Sequence, residues 1–152
     1  MDSKAAIHTN FGEKLTVGNV QIPDPRPDQV LVKLHSSGIC HSQLHQMHNP
    51  DSPTPSLLGH EGTGTVIAKG SEVDHLKEGD LAIVTWVNRT PIKGRPTFPH
   101  TGVTYNEAPL NGATYTWGEH VLVRGGYVVT VSYTHLRAHE TLRYLVCRLL
   151  LE

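Results

Sequence analysis

A mainly β fold is predicted by three features of the sequence. The apolar stretches are short, 10 prolines and 14 glycines are spread between them, and several stretches alternate apolar with polar residues, which is the period of a half-buried strand. Ala5–His8 and Leu15–Val20 are expected to form a first pair of strands. The proline-rich IPDPRPDQ at Ile22–Gln29 is an extended connection, because proline lacks an N–H and pushes the residue before it out of the α region. Val30–His35 (VLVKLH) alternates and is read as a third strand. SSGIC then turns into SQLHQMH at Ser42–His48, a short helix that the Ser42 hydroxyl would cap and that Asn49-Pro50 ends. PDSPTPSLLGHEG is expected to be a long irregular loop. Gly64–Ala68 is a strand, Glu78–Asp80 a turn into another at Leu81–Val87, Asn88–Gly118 irregular, and Glu119–Val129 a strand again.

Composition narrows the function. A length of 152 residues suits one domain. With 13 Lys+Arg against 14 Asp+Glu and no basic run, the chain lacks the clustered positive charge that nucleic-acid binding needs, so no nucleic-acid partner is expected. Two cysteines exclude a disulfide scaffold. No apolar run approaches the roughly 20 residues that span a bilayer, and the opening MDSKAAIHTN lacks a signal-peptide core, so no membrane partner and a cytoplasmic location are expected. Asn88-Arg89-Thr90 matches a glycosylation triplet and is read as an ordinary turn. The compositional oddity is the 11 histidines, a residue that ligates metals and exchanges protons near neutral pH.

The character of the chain changes near Thr130. THLRAHETLRYLVCRLLLE has the look of an amphipathic helix, with His135 and His139 at i,i+4 beside Glu140. A different reading accounts for more of it. VSYTHLRAHET at Val131–Thr141 resembles one translated frame of a transposase-type sequencing adapter, and LVCRLLLE at Leu145–Glu152 resembles the flow-cell end of the same library in the same frame. Residues 130–152 are therefore expected to be adapter-derived, with the native domain at 1–129. Cys147 then drops out, and Cys40 remains as the one cysteine.

Cys40 lies in GICHSQLH, and twenty residues later comes GHEGTGTV. A thiolate and an imidazole brought together from two loops are ligand types that zinc prefers. Cys40 and His60 supply two, Glu61 is a possible oxygen ligand, and a catalytic zinc needs three protein ligands plus an open position. Gly59, Gly62 and Gly64 permit a tight backbone course around the ligand loop. His8, His35, His75, His100 and His120 have no partner motif and are read as structural, His48 as a surface residue, and Trp86 and Trp117 as packing residues.

GICHSQLH and GHEGTGTV, with VLVKLHSSGIC before them and EGDLAIV after, resemble the motifs of the zinc-dependent medium-chain alcohol dehydrogenase family across Ala5–Val129. The resemblance implies a GroES-like partial β-barrel with short helices, lacking the Rossmann domain. It implies that Cys40 and His60 ligate one catalytic zinc, that Glu61 can enter the coordination sphere, and that Ser42 hydrogen-bonds the substrate alcohol. His45 would end a proton relay, and His41 would sit near the cofactor pyrophosphate. The parent enzyme would oxidise a small-molecule alcohol to an aldehyde or ketone with NAD or NADP, as a homo-oligomer. Three departures accompany the resemblance. The stretch from Val87 to Tyr115 has no cysteine, so no structural zinc is expected. Gln43 stands where many relatives have an acidic residue behind the zinc histidine. The third strong ligand and the nucleotide-binding domain lie beyond this chain, so the fragment alone is expected to be inactive. A zinc-free quinone or enone reductase would lack the Cys and His-Glu pair, and a non-catalytic GroES-like binding module would leave Ser42 and His45 beside Cys40 without a purpose.

Overall fold

The computed structural model describes residues 1–89 and 100–131. In chain order the strands are β1 (Asp2–His8), β2 (Thr16–Gln21), β3 (Gln29–Ser37), β4 (Ser56–Leu57), β5 (Gly62–Lys69), β6 (Leu81–Val84), β7 (Thr104–Tyr105), β8 (Ala108–Pro109), β9 (His120–Arg124) and β10 (Val128–Thr130). One short helix, α1 (His41–Met47), follows β3, and a 3-10 turn at Gly125–Tyr127 separates β9 from β10. They form two five-stranded sheets, ordered β4-β1-β2-β7-β8 and β10-β6-β5-β3-β9. The expected mainly β architecture is the observed one.

Burial differs from strand to strand in the second sheet. β3 pairs with β5 on one side and β9 on the other. Its first half, Gln29–Val32, is buried without a break, as are Val121, Leu122 and Val123 of β9. Such residues face protein from both sides, so their sequence is a continuous apolar run with no alternation. β6, between β10 and β5, alternates instead, with Ala82 and Val84 buried and Leu81 and Ile83 exposed. The buried polar groups of this core are partnered. Gln29 accepts the Arg26 N–H at 3.1 Å and donates to the Thr101 carbonyl at 3.1 Å. The Tyr115 hydroxyl accepts the Leu122 N–H at 3.0 Å, and burial pushes its pKa well above the ordinary phenol range against the opposing effect of that bond.

His8 breaks this rule. It is 1% exposed, pairs with Ser56 across β1 and β4, and neither ring nitrogen has a hydrogen-bond partner. An unmet buried polar group costs about 1 to 3 kcal/mol, whereas an apolar group of similar shape avoids that penalty. His8→Leu is therefore expected to raise the melting temperature by roughly 2 °C or more. Thermal denaturation of the two chains checks it, and an unchanged or lower midpoint would show that the ring earns its place.

Several expected boundaries shift, each for a local reason. The helix starts at His41, with Cys40 as its N-cap and Ser42 inside the first turn. Its cap is not the Ser42 hydroxyl: the Gln43 side chain accepts the Cys40 N–H, while Ser42 Oγ lies 3.4 Å from Cys40 Sγ. The strand expected to reach Val87 stops at Val84, because the Thr85 N–H turns to the Tyr127 carbonyl at 2.9 Å. The strand expected over Glu119–Val129 is interrupted by the 3-10 turn. Two segments expected to be irregular contain short strands. β4 pairs with the end of β1, and β7 and β8 form a hairpin whose turn residues, Asn106 (φ 49°) and Glu107 (φ 66°), are both left-handed. That is the twist-matched geometry usually signalled by Asn-Gly, which Asn-Glu does not advertise. β10 continues through Thr130, and the Val131 N–H donates to the Leu81 carbonyl at 2.8 Å. The possible tail helix, with His135, His139 and Glu140, and Thr90 of the glycosylation triplet lie outside the described residues.

Candidate metal centre

Two loops meet at one end of the paired strands β3 and β5. β3 ends at Ser37 and runs through Gly38 into Cys40, while the β4–β5 connection carries Leu58 to Glu61. They are clamped together by the Gly38 N–H donating to the Glu61 carbonyl at 2.8 Å. The hydroxyls of Ser37 and Thr116 each lie 3.1 Å from that same carbonyl. Trp117 Nε1 donates to the Gly38 carbonyl at 3.0 Å, so this tryptophan pins the loop. At Gly59 the backbone has φ +100°, and a Cβ there would stand 2.8 Å from the Thr116 nitrogen, so the turn that presents His60 requires glycine.

The clamp brings ligand atoms of Cys40, His60 and Glu61 within 4.8 Å of one another. Cys40 and His60 are half-buried and Glu61 is exposed. His60 Nε2 lies 3.6 Å from Glu61 Oε1. Gly38 makes room for the carboxylate, since a Cβ at that position would stand 2.4 Å from Glu61 Oε2. Among the described residues this is the one such group of three His, Cys, Asp or Glu side chains. Sulfur, nitrogen and oxygen donors together suit a borderline-soft divalent cation, and three protein ligands leave a tetrahedral position free. The donor set fits zinc.

Behind His60 sits Gln43, 1% exposed. Its side chain spans the helix start and the ligand: Oε1 accepts the Cys40 N–H at 3.0 Å, and Nε2 lies 2.6 Å from His60 Nδ1. In front, the cluster opens into a cleft of about 770 Å³ whose walls include Pro53, Leu57, Leu58 and Trp86. Trp86 is 54% exposed and meets the His60 ring edge-on, with centroids 6.2 Å apart. Sequence reading assigned Trp86 to packing and His100 to structure, yet both line this cleft. Nothing local marks them, because their placement comes from loops that converge only in three dimensions.

Of the residues singled out in the sequence, the fold gathers Cys40, Ser42, His60 and Glu61 in one cleft. It does not gather His41 and His45, which are exposed on α1 with ring centroids 4.8 Å apart. His45 instead borders a separate hollow with His48, Asn49 and Pro50. Among the described residues, the remaining histidines, His100 apart, have structural contacts or burial. His35 Nε2 lies 2.8 Å from Thr65 Oγ1, and His75 Nε2 lies 3.1 Å from the Gly125 carbonyl. His120 Nδ1 lies 3.0 Å from Ser3 Oγ, with its pKa lowered by burial, raised by Glu119 and lowered by Lys33. Of the three glycines read together, Gly64 serves strand packing and not the ligand turn, since a Cβ on it would meet the Lys33 carbonyl at 2.2 Å.

Comparison with known proteins bears on the family and the fold. The model of the alcohol dehydrogenase GroES-like domain matches residues 26–136. An alcohol dehydrogenase of Moraxella sp. (strain TAE123) is 41% identical over 87 residues, covering 55% of this chain and 26% of its own length. A zinc-binding domain protein of the alcohol dehydrogenases from Burkholderia ambifaria superposes with a TM-score of 0.78 at 24% identity, covering 88% of this chain and 42% of that one. Benzyl alcohol dehydrogenase from Acinetobacter calcoaceticus superposes with a TM-score of 0.73 at 26% identity, with the same coverage of 88% and 42%. The chain thus spans about a quarter of the length of that curated relative. From the fold, the clamped loops and the matched model, the chain belongs to the alcohol dehydrogenase GroES-like domain family.

Proposed function

We propose that the chain is the catalytic-domain portion of a zinc-dependent alcohol dehydrogenase that oxidises a small-molecule alcohol to an aldehyde or ketone with NAD or NADP. The observation that carries this reading is the Cys40, His60 and Glu61 cluster, with ligand atoms within 4.8 Å, at the end of a cleft with apolar walls. Cys40 and His60 would hold one zinc, and Glu61, exposed beside them, is free to approach or withdraw. A bound zinc supplies Lewis-acid polarisation of the alcohol oxygen. Ser42 lines the same cleft, and its hydroxyl can accept the alcohol proton while it donates onward, because a hydroxyl does both. Pro53, Leu57, Leu58 and Trp86 shield the reacting carbon from water. His41 and His45 lie outside the cleft, so their proposed places beside the cofactor pyrophosphate and at the end of the proton path depend on the nucleotide domain of the longer protein.

The cluster favours this reading over a quinone or enone reductase without zinc, which has no need of a thiol, an imidazole and a carboxylate at one point. Residues 130–152 are proposed to be adapter-derived, and the nucleotide sequence across Thr130–Glu152 decides that. We read the 152-residue chain as inactive alone and its parent as a cytoplasmic homo-oligomer with no structural zinc. Metal analysis and alcohol-dependent nicotinamide reduction by the full-length parent test the function. One zinc per chain and turnover are expected; turnover unaffected by complete removal of zinc would overturn it.

A further inference from the structure

We infer that Gln43 holds His60 in the tautomer that cannot ligate through the nitrogen facing the cluster, so that this one amide weakens the metal centre. The inference rests on the zinc reading above. The Cys40 N–H can only donate, so the Gln43 atom 3.0 Å from it is the carbonyl oxygen. The atom 2.6 Å from His60 Nδ1 is then the amide NH2, which is also only a donor. His60 Nδ1 must answer with its lone pair. A neutral imidazole carries one proton, which places it on Nε2, the nitrogen 3.6 Å from Glu61 Oε1 and on the cluster side. A ligating nitrogen must present a lone pair, and here Nε2 presents N–H.

Neither rearrangement cures this. Moving the ring proton to Nδ1 sets N–H against NH2 across the 2.6 Å contact. Turning the amide over relieves His60 but sets NH2 against the Cys40 N–H across 3.0 Å. Gln43 is 1% exposed, so neither arrangement offers the unmet donor a protein partner or more than slight contact with solvent. A carboxylate at the same place has no such conflict, because it accepts from Cys40 N–H and from His60 Nδ1–H together, and leaves Nε2 free to ligate. Gln43 is thus a positioning residue that acts on zinc through His60.

The test has one readout without metal and one with it. In the zinc-free chain, the ring nitrogen shifts of His60 by 15N NMR are expected to show a protonated Nε2 in the wild type and a protonated Nδ1 in Gln43→Glu. In chelator-competition titrations, Gln43→Glu is expected to bind Zn2+ about 10- to 100-fold more tightly than wild type, the range typical of partners behind a metal ligand. Gln43→Met, which removes the conflicting donor, is expected to bind no more weakly than wild type; a purely structural role for Gln43 predicts weaker binding in both variants. A protonated Nδ1 in the wild-type chain, or a wild type that binds zinc as tightly as Gln43→Glu does, overturns the inference. If the wild-type tautomer is as stated but no variant binds zinc, the metal reading of the cluster falls while the arrangement at Gln43 stands. The wild-type NMR measurement needs no variant to fold.

Discussion

Replacing Cys40 by alanine is expected to lower Zn2+ affinity by more than about 100-fold, beyond the 10- to 100-fold that loss of an outer partner causes. The cluster has three donors and only one is a thiolate, which is the softest of them and the one whose proton zinc displaces. Without it, a half-buried imidazole and an exposed carboxylate remain 3.6 Å apart, too few ligands to dehydrate the cation. Alcohol oxidation by the full-length parent should be lost with the zinc. Chelator competition and metal analysis on the purified variant give the first number, and a nicotinamide absorbance assay gives the second. Cys40 leaves the mechanism if zinc content and turnover persist in Cys40→Ala. Far-ultraviolet circular dichroism should be unchanged, because the Cys40 side chain is not in the apolar core.

The second large effect concerns stability. Gly64→Ala is expected to destabilise the chain by about 3 kcal/mol or more, the upper end of what overpacking costs. Gly64 pairs with Leu34 in the longest ladder of the molecule, beside the point where the β3–β5 register shifts. A Cβ there would lie 2.2 Å from the Lys33 carbonyl oxygen and 2.9 Å from its carbon. Both are backbone atoms of β3, the strand paired with β5, so no side-chain rotation relieves the clash. The strands would have to separate, which would also move the Ser37 and Gly38 end of β3 that carries the Cys40 loop. A melting temperature lowered by roughly 6 °C or more is expected. A melting curve that overlays the wild type would show that β3 and β5 tolerate a side chain between them. Gly12→Ala is the contrasting case, since it meets nothing within 4 Å and pays only for its φ of +74°.

Legibility of the sequence followed where the information is local. β1, β2 and β5 were readable because their residues alternate or end in glycine and proline, while Cys40 and His60 were singled out as candidate ligands by residue type together with the family resemblance. The β7–β8 hairpin was not readable, since Asn-Glu gives no glycine signal for its left-handed turn. Ser42 was expected to cap α1, but the helix begins one residue earlier with Cys40 as its N-cap, and Gln43 accepts the Cys40 N–H, which nothing in the local sequence announces. His8 looked like any strand histidine, and only its burial between β1 and β4 makes its two nitrogens a cost.

What the sequence by itself determined is the chemistry on offer: the Cys40 thiol and the His60-Glu61 pair twenty residues on, glycines around them, and a mainly β chain to carry them. What only the tertiary structure decided is which groups meet. Hydrogen bonds from Gly38, Ser37, Thr116 and Trp117 draw the two loops together. Those bonds bring Cys40 and His60 to the same cleft as Trp86 and His100, and leave His41 and His45 outside it. The reason is that ligand type is a property of a residue, whereas distance and proton direction are properties of the backbone and its hydrogen bonds. The finest of these decisions is the contact between Gln43 and His60, on which the inference about zinc affinity rests.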